Sequence, residues 1–159
     1  MSIAKDGILP VLATLVGLAV VRRIPSLLSL LVWPGTVLHE LAHWVIGYVL
    51  AGRPTRLRVL PRREGTTWIF GSVVCLRITQ WNAFPIAIAP VLVAWPAMLL
   101  YQYGGEGLGD ERVFAYIATG VLLFSAMPSR TDLWIAISRP WGTGLYLTAI
   151  ACLARSYLL

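Results

Sequence analysis

Five apolar runs, parted by short turns rich in arginine, leave this chain few ways to fold. They cover Ile8–Val21, Ser26–Ala51, Asn82–Tyr103, Val113–Met127 and Trp141–Leu158. A helix crosses a bilayer with about 20 apolar residues. The second and third runs exceed that length, the fifth is adequate, and the first and fourth are short. Only 13% of the 159 residues are charged, against about 25% in a soluble domain. So few charges cannot cover a surface, so lipid is expected to cover much of it. The expected fold is an all-α polytopic membrane protein with about 4–5 transmembrane segments. It forms one domain over residues 1–159, with a small β-hairpin inserted at residues 52–80.

The hairpin is read from a change of pattern. Arg56-Leu57-Arg58-Val59-Leu60 alternates charged and apolar residues, as a strand does. Glu64-Gly65, within Arg62 to Thr67, signals a turn. Trp68 to Ile78 is β-branched and aromatic, again strand-like. Open strand edges cannot face lipid, so this insertion belongs at the interface or beside the protein interior.

The net charge of +6 raises nucleic acid as a partner, but the arginines lie in short loops between apolar runs. That is the positive-inside pattern, with anionic lipid as the counterion, and no nucleic-acid partner is expected. The five arginines of residues 52–63 place that loop in the cytoplasm; Glu106, Asp110 and Glu111 place the next loop outside. Arg130 and Arg139 return the chain to the cytoplasm. Arg22-Arg23 fits this scheme only if Ile8–Val21 is shallow or hairpin-like. That first run is read as retained, not as a cleaved signal, because no small-residue cleavage site follows it. The expected location is a bacterial-type inner (cell) membrane, with the active site toward the cytoplasm. Cys75 and Cys152 form no C-x-x-C pair and indicate no disulfide.

The chemistry is concentrated in one pentapeptide. The chain has two histidines, and both lie in His39-Glu40-Leu41-Ala42-His43, the pattern H-E-x-x-H. On a helix, positions i and i+4 share a face, so His39 and His43 can hold one metal ion. Glu40 beside them is placed as a general base. A catalytic zinc needs three protein ligands and an open position. With no third histidine, the candidates are acids. Asp6 is terminal, Glu64 sits at the hairpin tip, and Glu106, Asp110 and Glu111 are assigned outside. Asp132, just after Pro128 and on the same side as the motif helix, is the remaining candidate. Its plainer readings are a partner for Arg130 or Arg139, or a helix cap. Ionisable groups inside apolar segments are costly and point to function.

Pro34-Gly35-Thr36-Val37-Leu38-His39-Glu40-Leu41-Ala42-His43 resembles the motif helix of the site-2-protease family of intramembrane zinc metallopeptidases. In that family a later aspartate, in an asparagine- and proline-containing motif, is the third ligand. Phe124-Ser125-Ala126-Met127-Pro128-Ser129-Arg130-Thr131-Asp132 is similar in position and in its proline. It departs in having Ser125 or a neighbour in place of asparagine, and Leu133 in place of the usual glycine. The resemblance implies peptide-bond hydrolysis in transmembrane or membrane-associated protein substrates, with Zn2+ as cofactor. It also implies that Glu40 moves a proton from water to the leaving amine. The strand around Gly71 and Ser72 would pair with an unwound substrate, unless these are plain turn residues. The alternative function is a non-catalytic zinc-binding membrane protein, acting as a structural, sensing or complex subunit.

Overall fold

The computed structural model describes residues 7–104 and 111–158. Asp6, Glu106 and Asp110, used above in placing loops and choosing ligands, lie outside the described residues. Seven helices are described: α1 (Ile8–Val21), α2 (Pro25–Leu31), α3 (Trp33–Val49), α4 (Ala83–Gly104), α5 (Arg112–Ser125), α6 (Arg130–Ile137) and α7 (Pro140–Leu158). Four short strands follow α3: β1 (Pro54–Arg58), β2 (Arg62–Glu64), β3 (Thr67–Ile69) and β4 (Ser72–Cys75).

This corrects the expected polytopic all-α membrane fold with its 4–5 spanning segments. Among the described residues, one helix, α4, is long and apolar enough to cross a membrane by length and composition. The α5 and α6 helices pass the same test only as a pair, and they bend by 41° at their junction. Apolar runs are not helices, and proline divides them. Pro25 and Pro34 each sit in a first helical turn, where the missing N–H costs nothing. The run Ser26–Ala51 therefore becomes a seven-residue helix and a 17-residue helix, about 10 and 26 Å long at 1.5 Å per residue. Of the two readings of Pro34-Gly35, a kink or a helix start, the start is realised. The α1 helix has 14 residues and reaches only about 21 Å. The α7 helix has 19 residues, but Gly142, Thr143, Gly144, Thr148, Arg155 and Ser156 dilute its apolar character.

The α4 helix adapts to three prolines. It runs as α-helix over Ala83–Ile88, tightens to a 3₁₀ turn over Ala89–Val93, resumes over Ala94–Leu99 and widens to a π turn over Leu100–Gly104. Proline removes the i→i−4 bond at its own position, and the local changes of pitch accommodate the loss.

The strands make two antiparallel pairs, β1 with β4 and β2 with β3. Leu57 faces Val73 in the outer pair, and Arg63 faces Trp68 in the inner pair. The hairpin differs from the expected one in detail. Arg62–Glu64, assigned to the turn, is a strand, and the turn narrows to Gly65-Thr66, with Gly65 at φ +60°. Trp68–Ile78 breaks at Phe70-Gly71 and ends at Cys75. The β1–β4 pair packs on α3, and the Trp33 indole N–H donates to the Val59 carbonyl of the following loop at 3.0 Å. Phe70 packs on the cluster formed by Leu18, Leu28 and Val32.

The helices close around small residues. Ala83, Ala87, Ala89, Ala97 and Ala115 are all buried, and small side chains let backbones approach. At Gly35 an added Cβ would strike the Ser125 side chain, so α3 and α5 can meet here only through glycine. The outer surface is the reverse. Leu9, Leu30, Trp95, Phe114, Trp134 and Trp141 are each more than 65% exposed.

Candidate metal centre

Three elements meet at the site: α3 supplies His39, Glu40 and His43, and the start of α6 supplies Asp132, while α4 packs behind α3. The two imidazoles lie one helical turn apart with ring centroids 4.9 Å from each other. Their Nε2 atoms are 3.3 Å apart. Asp132 completes the group, with Oδ1 3.2 Å from His43 Nε2 and Oδ2 3.5 Å from His39 Nε2. His39, His43 and Asp132 could hold a metal ion, one ligand atom from each lying within 4.8 Å of the others.

The backbone fixes which nitrogens face the centre. His39 Nδ1–H donates to the Ser125 carbonyl at 2.7 Å, and His43 Nδ1–H donates to the Ile86 carbonyl at 2.7 Å. A carbonyl only accepts, so each Nδ1 carries the proton and each Nε2 keeps a lone pair. Metal-bound histidines are oriented in this way. Two lone pairs and a carboxylate then converge on one point, where a bound cation would relieve their mutual repulsion. The spacings also suit one. A tetrahedral ion with ligands at about 2.0–2.1 Å holds its ligand atoms about 3.3 Å apart, as these are.

Both carbonyls keep a lone pair for this task because of proline and helix ends, although the Ile86 carbonyl also accepts the Ala89 N–H. Ile86 would bond the N–H of residue 90, but Pro90 has none. Ser125 is the last residue of α5, where carbonyls lack helical partners. The N–H four residues on, that of Ser129, goes instead to Asp132 Oδ2 at 2.7 Å. Ser129 Oγ returns the bond by accepting from the Asp132 N–H at 3.2 Å. This is a capping box, and it aims the carboxylate at the histidines. Ser129, not Asp132, is therefore the N-cap; Asp132 takes part in the capping box from the third helical position and also lies beside the imidazoles. Among the described residues, Asp132 forms no ion pair with Arg130 or Arg139.

Glu40 is 7% exposed and interacts electrostatically with both histidines and Asp132. Its carboxyl lies under the break between β3 and β4. A Cβ on Gly71 would come within 2.6 Å of Glu40 Oε1. Glycine is required there by the approach of the carboxyl group, which a plain turn reading of Gly71 does not provide. Glu64, set aside as a ligand, pairs with Arg62 at 2.8 Å. Cys75 packs against Gly47, and burial pushes its thiol pKa up, which suits a structural thiol more than a reactive one.

Sequence reasoning missed the supporting carbonyls of Ser125 and Ile86. The available signals were Pro90, four residues after Ile86, and the spacing Ser129-x-x-Asp132. One prediction follows for the first. Pro90→Ala supplies an N–H that competes for the Ile86 carbonyl and loosens His43. Losing such a support typically costs 10–100-fold in metal affinity, so metal binding at this site, probed with Zn2+ by chelator competition, should weaken by roughly that factor. Unchanged affinity would mean that other contacts orient His43. No family model, curated protein or solved structure matches this chain.

Proposed function

We propose that this chain is a zinc-dependent peptidase of the membrane, similar in its site to the site-2-protease family, with Glu40 as the general base. The observation that carries this reading is the convergence of His39 Nε2, His43 Nε2 and the Asp132 carboxylate beside a buried Glu40. Three protein ligands leave a fourth position open, which distinguishes catalytic from structural zinc sites. Zinc bound there would supply Lewis acidity toward a water and a peptide carbonyl.

The chain's own residues do the rest. Asp132 contributes a negative charge to the centre, offsetting part of a divalent cation's charge. Glu40 takes a proton from the attacking water and delivers it to the leaving amine. Burial excludes bulk water and strengthens each of these interactions. Gly71 leaves room for the Glu40 carboxyl beside the hairpin. The β4 strand offers a backbone on which an unwound substrate segment can pair. Membrane-associated polypeptides are the proposed substrates. The α4 helix and the exposed leucine, tryptophan and phenylalanine side chains favour a membrane setting.

One observation favours the second reading, a metal site kept for structure. Glu40, His43 and Asp132 are each no more than 8% exposed, so a substrate must displace something to arrive. Hydrolysis separates the two readings. Zinc-loaded protein in detergent is incubated with apolar, helix-forming peptides, beside the chelated protein and Glu40→Gln. Cleavage that needs both zinc and Glu40 supports the peptidase. Cleavage unaffected by either change overturns it.

A further inference from the structure

An apolar groove of about 360 Å³ runs along the outer side of α3 and α4, away from the histidines. Its walls include Ile46, Val49 and Leu50 of α3, Phe84 and Ile88 of α4, and Tyr146 of α7. The Phe84 and Tyr146 rings stack at 5.6 Å, and the Tyr146 hydroxyl donates to the Trp81 carbonyl at 2.8 Å. The groove therefore has a stacked aromatic wall held by a hydrogen bond.

One end of it is basic. Leu50 ends the α3 wall, and its carbonyl accepts from the Asn82 side-chain amide at 3.2 Å. The same amide donates to the Arg77 carbonyl at 3.0 Å, and the Arg77 N–H donates to the Gly52 carbonyl at 2.9 Å. Arg77 and Arg53 are thus gathered beside Leu50, and both are exposed. Trp81, 64% exposed, stands at the same end. Among the described residues, no Asp or Glu lines the groove.

We infer that this groove binds an anionic phospholipid, one acyl chain in the channel and the phosphate at Arg53 and Arg77. An apolar groove with two exposed arginines at one end favours an amphiphile with a negative head. A partner helix would satisfy the channel but would leave the arginines without counterions. The tryptophan fits the same end, since indoles favour the headgroup level of a bilayer. The inference rests on the membrane setting proposed above, and on neither zinc nor catalysis.

The test is native mass spectrometry of the full chain in detergent, titrated with palmitoyl-oleoyl phosphatidylglycerol or phosphatidylcholine. One phosphatidylglycerol should be retained in clear preference to phosphatidylcholine. Each arginine near an anionic headgroup contributes roughly fivefold to binding, so the double variant Arg53→Gln/Arg77→Gln should bind roughly 30-fold more weakly. Leu92→Glu, on the exposed groove wall, should lower retention of either lipid. Equal binding of the two lipids overturns the inference. So does a double variant that binds phosphatidylglycerol like the wild type, or a protein dimer that excludes lipid. Membrane co-fractionation of the wild type and both variants is read in parallel. Its loss in wild type would sink the membrane setting itself, whereas its retention with no lipid preference would sink only the groove.

Discussion

Glu40→Gln will bind zinc as the wild type does and will lose peptide hydrolysis by about 10²- to 10⁴-fold, the usual contribution of a positioned general base. Glutamine is nearly the same size as glutamate, so the approach to Gly71 is kept. It is not among the three converging ligands, so the metal should stay. What the amide cannot do is accept a proton from water. The comparison is made at saturating zinc, with metal content measured on the same samples. A variant that loses zinc as well would make Glu40 part of the metal-holding structure and remove it from the role of base. A variant that cleaves at the wild-type rate would end the mechanism.

The second large effect is at Asp132. Its carboxylate does two things: it meets both histidines, and it caps α6 through Ser129. Asp132→Ala removes both roles: the carboxylate leaves the histidines, and the capping box loses its reciprocal bond from the Ser129 N–H, while Ser129 Oγ still accepts the backbone N–H of residue 132. Asp132→Asn separates them. Its amide oxygen can still accept from the Ser129 N–H, while the negative charge is gone. Zinc affinity in Asp132→Asn should fall by more than the roughly 10–100-fold that follows loss of a supporting hydrogen bond, because a ligand and not its support has changed. Zinc at 1,000 times its dissociation constant stabilises a folded chain by about 4 kcal/mol. Wild type should therefore melt at a markedly higher temperature with zinc, and Asp132→Asn should show a much smaller rise at the same zinc concentration. Equal zinc stabilisation of the two proteins would remove Asp132 from the ligand set.

These effects depend on features that the sequence reveals unequally. The spacing of His39 and His43 by four residues is a statement about helix geometry, and it holds wherever the helix ends. Asp132 emerges from counting, because a chain with two histidines has few other ligands to offer. The hairpin is legible because alternation at Arg56–Leu60 and a turn at Glu64-Gly65 are local patterns. The number of membrane-crossing helices is a different kind of quantity. Hydropathy sums composition along a run, whereas crossing needs an unbroken helix. Pro25 and Pro34 begin new helices, and the chain bends between Ser125 and Arg130, which a running average does not register. The carbonyls of Ile86 and Ser125 are hidden for a related reason. Every residue has a carbonyl, and what makes these two available is a missing donor four residues away in one case and a helix end in the other. Gly71 stands apart, since its need arises from Glu40, 31 positions earlier in the chain, and only the folded hairpin brings the two together.

The central claim is a three-ligand centre with one position open, and zinc K-edge X-ray absorption on the purified, zinc-loaded chain tests it most directly. The account predicts stoichiometric zinc bound by four nitrogen or oxygen donors at about 2.0–2.1 Å, with the scattering of two imidazoles. Sulfur at about 2.3 Å, a single imidazole, or no stoichiometric zinc in metal-replete protein would contradict it.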